Sequence, residues 1–262
     1  MDLSIIIVNY KNLDMLRLCL KSILNSDLNN KEYEILLIDS EAEKETEEAI
    51  ADEFPNVKYL GSRENTGYAK AVNWGIRESS GEKIFVLNPD TVVKKDSIKK
   101  LIDYMDSNPS AGLVGPRLLN FDGTPQQSAF RFYKIPTILC RRTPLGRTGY
   151  GKKILEEFML KNMDLGKPAE VDWLSGAAIM ASRSAIEKIG PMDERFFIYF
   201  EDVDWARRFL QQGYKVIYYP LSEIFHYHQR ESKSKWGVLD PLFNKKTRWH
   251  LTSAAKYFLK YK

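Results

Sequence analysis

Apolar runs alternate with amphipathic stretches over residues 3–107, and this alternation narrows the possible folds more than any other feature of the chain. Residues 3–8 are a β-branched run that stops at Asn9-Tyr10-Lys11-Asn12. Leu13, Leu16, Leu18, Leu20, Ile23 and Leu24 then suggest a helix. A second strand, 34–38, carries Asp39 at its end, and an acidic helix-forming stretch covers 41–53. A short strand at 57–60 precedes the turn Glu64-Asn65-Thr66-Gly67 and a helix over 68–78. Residues 83–87 form a fourth strand, followed by a helix over 94–107 that Asn108-Pro109 stops. Such a β-α repeat implies an α/β fold with a parallel sheet and helices on both faces. Right-handed crossovers bring the carboxyl ends of the strands to one edge, where open α/β sheets bind ligands. Asn9, Tyr10, Asp39 and the Asn88-Pro89-Asp90 segment then line one crevice.

The fourth strand ends because Pro89 removes a ladder donor and restricts the residue before it. Asp90 or Thr91 either caps the helix that starts near Lys94 or presents a carboxylate to a ligand. No G-x-G-x-x-G follows the first strand, and no G-x-x-x-x-G-K-[ST] occurs anywhere. Dinucleotide oxidoreductases and P-loop enzymes are thereby disfavoured. A carboxylate-held metal ion is the common alternative for binding phosphate.

Beyond a strand at 112–117, residues 120–168 read as irregular, with Pro125, Pro136 and Pro144 and a basic cluster of Arg141, Arg142, Arg147, Lys152 and Lys153. So long a loop is either functional or a solvated insertion. A core strand forms the second half of 171–180, with Trp173 and Gly176 near its start, and a short helix covers 182–189. The aromatic run 196–200 delivers Glu201, Asp202 and Asp204 to the start of a helix over 205–212. Acids in a first turn suit the helix dipole. Three in four residues behind an apolar wall also suit a carboxylate poised as a base. After a last strand at 216–219 come His226 and His228, each a hydrogen-bonded surface residue or a ligand.

With 262 residues and 44% hydrophobic content, the chain can build one large domain, with or without an appendage. Its two cysteines exclude a disulfide framework and fit a reducing compartment. There is no charged leader and no apolar run near the roughly 20 residues of a membrane span, so a cytoplasmic, soluble protein is expected. The net charge of +4 is uneven: residues 230–262 sum to +7 and the rest to −3. A local basic tail is not the footprint of a nucleic-acid-binding domain. Leu251, Ala254, Ala255, Phe258 and Leu259 follow helical spacing in that tail. It either packs on its own domain or a second subunit, giving a homodimer, or lies peripherally on an anionic membrane surface at the inner face of the cell membrane.

Five motifs occur in order: 4–10 (Ser-Ile-Ile-Ile-Val-Asn-Tyr), 64–69 with Asn73 and Gly75, 87–91 (Leu-Asn-Pro-Asp-Thr), 173–177 (Trp-Leu-Ser-Gly-Ala), and 196–204. This ordered set resembles the inverting family 2 glycosyltransferases of the GT-A fold, in particular their rhamnosyltransferase-like subgroup, over about residues 3–228. The resemblance implies a Rossmann-like, mostly parallel sheet in residues 1–229. Residues 1–118 would form the nucleotide-sugar-binding half, 119–229 the acceptor and catalytic half, and 230–262 a basic helical tail. It implies a nucleotide-diphosphate sugar donor held by Val8, Asn9, Tyr10, Asp39, Gly67, Asn73, Asn88 and Asp90. Trp173, Ser175 and Gly176 would border donor sugar and acceptor. The Glu201-Asp202 pair would supply the base, placed on Asp202. A divalent cation, Mg²⁺ or Mn²⁺, would sit on Asp90 and His226, with His228 as the other choice. The product would be a sugar, rhamnose being one, joined with inversion to a glycan or lipid-linked acceptor in cell-surface polysaccharide synthesis. Many relatives continue Asp-Asn-x-Ser-x-Asp-Gly after the second strand, whereas this chain has Asp39-Ser40-Glu41-Ala42-Glu43-Lys44-Glu45. The nucleotide base is therefore not assigned. The rival readings are a sugar-nucleotide nucleotidyltransferase, which lacks its glycine-rich loop here, and a non-catalytic sugar-nucleotide-binding protein.

Overall fold

The computed structural model describes residues 1–28, 30–227 and 244–262. The alternation forms as the pattern requires: β1 (Leu3–Asn9), α1 (Leu13–Leu24), β2 (Tyr33–Ser40), α2 (Lys44–Glu53), β3 (Val57–Ser62), α3 (Tyr68–Glu78) and β4 (Lys83–Leu87). Then come β5 (Thr91–Val93), α4 (Ser97–Ser107), β6 (Ala111–Leu119), β7 (Ala129–Phe130), α5 (Ile135–Arg142), a 3-10 turn (Pro144–Arg147) and α6 (Gly149–Phe158). The chain continues through β8 (Ala169–Glu170), β9 (Trp173–Leu174), β10 (Ala178–Ser182), α7 (Arg183–Ile189), α8 (Glu201–Gln211), β11 (Lys215–His226) and α9 (Lys245–Lys260).

The main sheet runs β3-β2-β1-β4-β10-β6-β11-β5. Strands β3, β2, β1 and β4 are parallel, as are β6 and β11. Between β4 and β6 lies β10, antiparallel to both. Side chains alternate across a strand, so Ile6 and Val8 enter the core on one side of the sheet, and Ile5 and Ile7 the core on the other. Both faces are covered, which is why β1 reads as one unbroken apolar run.

Three parts differ from the sequence reading. The stretch expected to be irregular contains α5, the 3-10 turn and α6, because Pro136 and Pro144 each sit in a first helical turn, where a missing N–H costs nothing. Strand β11 does not end at Tyr219 but passes Pro220 to His226, with a register shift between Tyr219 and Glu223 that absorbs the proline. Strand β5, immediately after Asp90, pairs antiparallel with the far end of β11 and sets Thr91 opposite His226.

Helix α9, in the described part of the tail, packs on its own domain. Ala254 and Tyr257 are buried in the same core as Trp205 and Phe209. The helix is fastened through Lys260, whose Nζ lies 2.6 Å from Asp204 and 2.7 Å from Asp193. Tyr261 donates to Asp204 at 2.8 Å. Arg195 first, and then Lys260, hold the Asp193 carboxyl well below the usual carboxylate range. Among the described residues, no helix is long and apolar enough to cross a membrane.

Candidate active site

The β5–β11 ladder brings Asp90 and His226 together across 136 residues of chain. Asp90 Oδ1 is buried without a hydrogen-bond partner and lies 3.5 Å from His226 Nε2. The other ring nitrogen, Nδ1, is 3.0 Å from Gln126 Oε1. Gln126 directs its Nε2 to the His226 carbonyl at 2.6 Å and to Asn120 Oδ1 at 2.8 Å, which fixes its amide so that Oε1 accepts from His226 Nδ1–H. The Nε2 atom and the Asp90 carboxylate oxygen then face each other 3.5 Å apart. Such a pair suits a divalent cation, and the Gln126 contact is the orienting partner that metal-binding histidines characteristically have. Among the described residues no cluster of three His, Cys, Asp or Glu side chains surrounds this point. Among the described residues the protein donors here number two, and further ligands would come from water or bound phosphate. His228 lies outside the described residues.

A second pair of acids stands at the start of α8. Tyr199 and Phe200 have φ of 68° and 69°, a left-handed conformation that bulky residues rarely adopt. This turn ends the aromatic run and points Glu201 and Asp202 inward. Asp202 accepts backbone N–H groups from Gly176 to Oδ2 at 3.0 Å and from Val203 to Oδ1 at 2.8 Å. Burial outweighs these bonds and raises its pKa to about 6. Glu201 is buried with Oε2 unpartnered, and burial, reinforced by the charge of Asp202, holds its pKa well above the ordinary range. Two adjacent acids in one apolar pocket separate in this way: one keeps its proton and the other ionises near neutrality. The third acid of the motif, Asp204, is committed elsewhere, to Arg208 and the tail.

Tyr68 ties the two pairs together. Its hydroxyl donates to the Gly176 carbonyl at 2.8 Å, and its pKa is held well above the usual value by burial and then by the charges of Glu201, Asp202 and Asp90. The fields of the carboxylate beside His226 and of the acids of α8 thus both reach one phenol. A β-carbon at Gly176 would lie 3.4 Å from Asp202 Oδ2, in ordinary contact with that carboxylate.

Beside Asp202 opens a cavity of about 100 Å³ lined by Tyr133, Trp173, Tyr199, Phe200, Glu201 and His250, among others. Trp173 donates its indole N–H to the Arg131 carbonyl at 2.8 Å and stacks on Phe130 at 4.3 Å, so it forms a fixed wall. Helix α9 supplies His250, whose Nδ1 is buried and unpartnered. Burial, with the charges of Arg142 and Arg141, drives its pKa down to about 3, so the ring is neutral. Neither Gln126, Tyr68 nor His250 was selected from sequence. Tyr68 lay within a motif already noted, whereas Gln126 and His250 carry no local signal.

The remaining expected residues divide. At the β1 and β2 edge, Asn9 donates to Asp39 Oδ1 at 2.8 Å and Tyr59 donates to Oδ2 at 2.8 Å. Asp39 is therefore buried and satisfied, with burial raising its pKa. Asn9 keeps an unpartnered Oδ1, Val8 is buried beneath it, and Tyr10 is exposed above it. Asn88 joins this edge to the Gly176 segment, its N–H donating to the Ala177 carbonyl at 2.9 Å. Ser175 Oγ caps Ala177 N–H at 3.5 Å. Two expected donor contacts do not join the group. Asn73 is 1% exposed and exchanges two hydrogen bonds with the backbone of Met192, which leaves its amide to a loop. Gly67 has φ of +84° and a β-carbon there would strike Phe197 at 2.6 Å, so it serves the docking of α3 on the aromatic run.

Residues 4–190 match the family model described as Glycosyl transferase family 2. The chain is 32% identical over 213 residues to an N-acetylglucosaminyl-diphospho-decaprenol L-rhamnosyltransferase of Mycobacterium tuberculosis (strain ATCC 25618 / H37Rv), covering 74% of this chain and 66% of that protein. It is 25% identical over 266 residues to rhamnosyltransferase WbbL of Escherichia coli (strain K12), covering 97% of this chain and 91% of that one. Among solved structures, mannosyltransferase PcManGT of Pyrobaculum calidifontis, in complex with GDP-Man and Mn²⁺, superposes with a TM-score of 0.60 at 17% identity, covering 87% of this chain and 57% of that chain. At that identity the likeness establishes the fold alone. The chain spans just under two thirds of the length of the mycobacterial relative.

Proposed function

Because the chain belongs to glycosyl transferase family 2, with rhamnosyltransferase-like relatives, we propose that it transfers a sugar from a nucleotide-diphosphate sugar to a hydroxyl of a glycan or lipid-linked acceptor, with inversion. Rhamnose is the sugar favoured by the relatives. The observation that carries the reading is the Gly176–Ala177 segment: Tyr68 donates to the Gly176 carbonyl, Gly176 N–H donates to Asp202, and Asn88, two residues before Asp90, donates to the Ala177 carbonyl, so one segment links the strand end that carries Asp90 to Asp202. The acceptor oxygen attacks the anomeric carbon as the bond from that carbon to the diphosphate oxygen breaks. Asp202 takes the hydroxyl proton, and the nucleoside diphosphate leaves from the opposite face. With a pKa near 6, Asp202 is mostly ionised at neutral pH and still basic enough to share a proton in the transition state. Glu201 remains protonated and can donate to an acceptor oxygen. Asp90 and His226 would hold Mg²⁺ or Mn²⁺, which when bound supplies positive charge to the diphosphate. Asn9 and Tyr10 stand at the edge where the nucleoside would lie.

The test is a donor-hydrolysis and transfer assay across nucleotide sugars with Mg²⁺ or Mn²⁺, with the product anomer read by NMR. Release of nucleoside diphosphate from one donor and an inverted product are expected. Binding without turnover for every donor would instead favour a non-catalytic sugar-nucleotide-binding protein, and a retained anomer would exclude the single-displacement chemistry.

A further inference from the structure

Residues 134–153 contain six Lys and Arg and no Asp or Glu, in a chain whose net charge is +4. The same short segment exposes Ile135 (62%), Leu139 (50%), Leu145 (54%) and Tyr150 (73%), four of the twelve large apolar side chains left exposed among the described residues. Ile135 and Leu139 lie one turn apart on α5. Soluble surfaces scatter exposed apolar residues singly, and a cluster of them in a basic frame marks an interaction site.

The segment holds a definite shape. A β-carbon at Gly146 would come within 2.2 Å of the Cys140 carbonyl oxygen, and one at Gly151 within 2.0 Å of the Leu145 carbonyl oxygen, so α5, the 3-10 turn and α6 pack backbone to backbone. Cys140 and Phe158 anchor the unit inward. Its inner side backs a wall residue of the cavity beside Asp202: the Tyr133 hydroxyl accepts a hydrogen bond from Arg141, and the Tyr133 ring lies 4.8 Å from that of Phe200. Among the described residues of the tail, α9 buries Ala254 and Tyr257 against the core and exposes one large apolar side chain, Leu259.

We propose that the α5–α6 unit docks this protein on an anionic lipid bilayer, with Ile135, Leu139, Leu145 and Tyr150 entering the interface and Arg147, Lys152 and Lys153 meeting the headgroups. Charge complementarity selects the occupant: over residues 134–153 the apolar side chains are framed by basic ones, with Glu156 and Glu157 only at the far end of α6 and Glu157 paired to Lys134, which matches the boundary between acyl chains and anionic headgroups. The docked surface lies on the outer side of the cavity wall, which brings the site to the depth of a lipid-borne acceptor. The proposal does not depend on the transfer reaction, because vesicle binding is read without turnover.

The test is co-sedimentation of the full chain with vesicles of phosphatidylcholine alone and of phosphatidylcholine mixed with phosphatidylglycerol. Binding to the mixed vesicles only is expected. The triple variant Arg147→Glu, Lys152→Glu, Lys153→Glu should lower partitioning by about tenfold or more, and the double variant Leu139→Asp, Leu145→Asp should do the same. Leu18→Asp, at a comparably exposed leucine of α1, should bind as the wild type does. Matching melting temperatures would show that the variants are folded. No binding to mixed vesicles would overturn the proposal, as would binding that survives both patch variants and is lost in Leu259→Asp of α9. Wild-type self-association in sedimentation velocity, abolished by Leu139→Asp, Leu145→Asp, would assign the patch to a second copy and equally overturn it.

Discussion

The first turn of α8 holds two aspartates in opposite surroundings. Asp204 is fully buried, and its oxygens are met by Arg208 at 2.9 Å, Lys260 at 2.6 Å and Tyr261 at 2.8 Å. Asp202 has two backbone N–H groups, no cation, and a pKa raised to about 6. A carboxylate ringed by cations and donors is a fastener; one buried with its charge uncompensated is held ready for a proton. The contrast extends beyond α8. The buried side-chain polar atoms without partners among the described residues are Asn9 Oδ1, Asp90 Oδ1, Glu201 Oε2 and His250 Nδ1. Burying such atoms unpaired is costly unless something else completes them. Glu201 and His250 share the cavity beside Asp202, Asp90 follows Asn88, whose N–H bonds the segment that holds Asp202, and Asn9 lies on the crevice edge.

If the two aspartates differ in this way, exchanging their chemistry has separable effects. Asp202→Asn should reduce transfer by about 10²–10⁴-fold, the worth of a positioned base, with nucleotide affinity unchanged by calorimetry. Asp204→Asn should do the reverse. It leaves Lys260 and Arg208 beside a neutral amide, and breaking a buried ion pair costs about 3–5 kcal/mol, to be read as a lower midpoint in denaturant. Equal loss of stability in both variants would erase the distinction.

The cation-ready pair gives the next effect. Gln126→Leu removes the partner that orients His226 and should weaken Mn²⁺ binding by about 10–100-fold, measured by titration of the protein with nucleoside diphosphate present. Asp90→Ala should abolish metal-dependent nucleotide binding in the same titration. Unchanged affinity in both would mean that the pair is structural. The smallest effect belongs to Glu201→Gln. If Glu201 acts as a neutral donor, the amide replaces it at a cost near that of one hydrogen bond, about 1 kcal/mol or less than tenfold in rate. A loss as large as that of Asp202→Asn would transfer the role of base to Glu201.

Much of this was readable before any coordinates. Helix α3 and strand β4 begin and end where periodicity, Gly67 and Asn88-Pro89 place them. Asp90 lies beside His226, and Gly176 beside Asp202, because each follows a strand or opens a helix. What was missed depends on long-range pairing or on prolines with two meanings. Pro136 and Pro144 looked like breakers and are helix starts. Three-residue β5 exists only because β11 is beside it. Gln126 lies in a segment without periodic signal, and His250 borders a stretch whose helical spacing does not say what it packs against, so only the folded chain brings them to His226 and Asp202. Asn73 was drawn to the site by its motif, but its amide bonds the Met192 backbone instead.

The account rests on Asp202 as the group that takes the proton, and the pH dependence of transfer under single-turnover conditions tests this most directly. A carboxylate with its pKa raised to about 6 is lost as a base when the pH falls through that value. The wild-type rate should therefore fall about tenfold per pH unit below that point and level off above it, and the residual rate of Asp202→Asn should show no such limb. The same acid limb in Asp202→Asn would contradict the assignment.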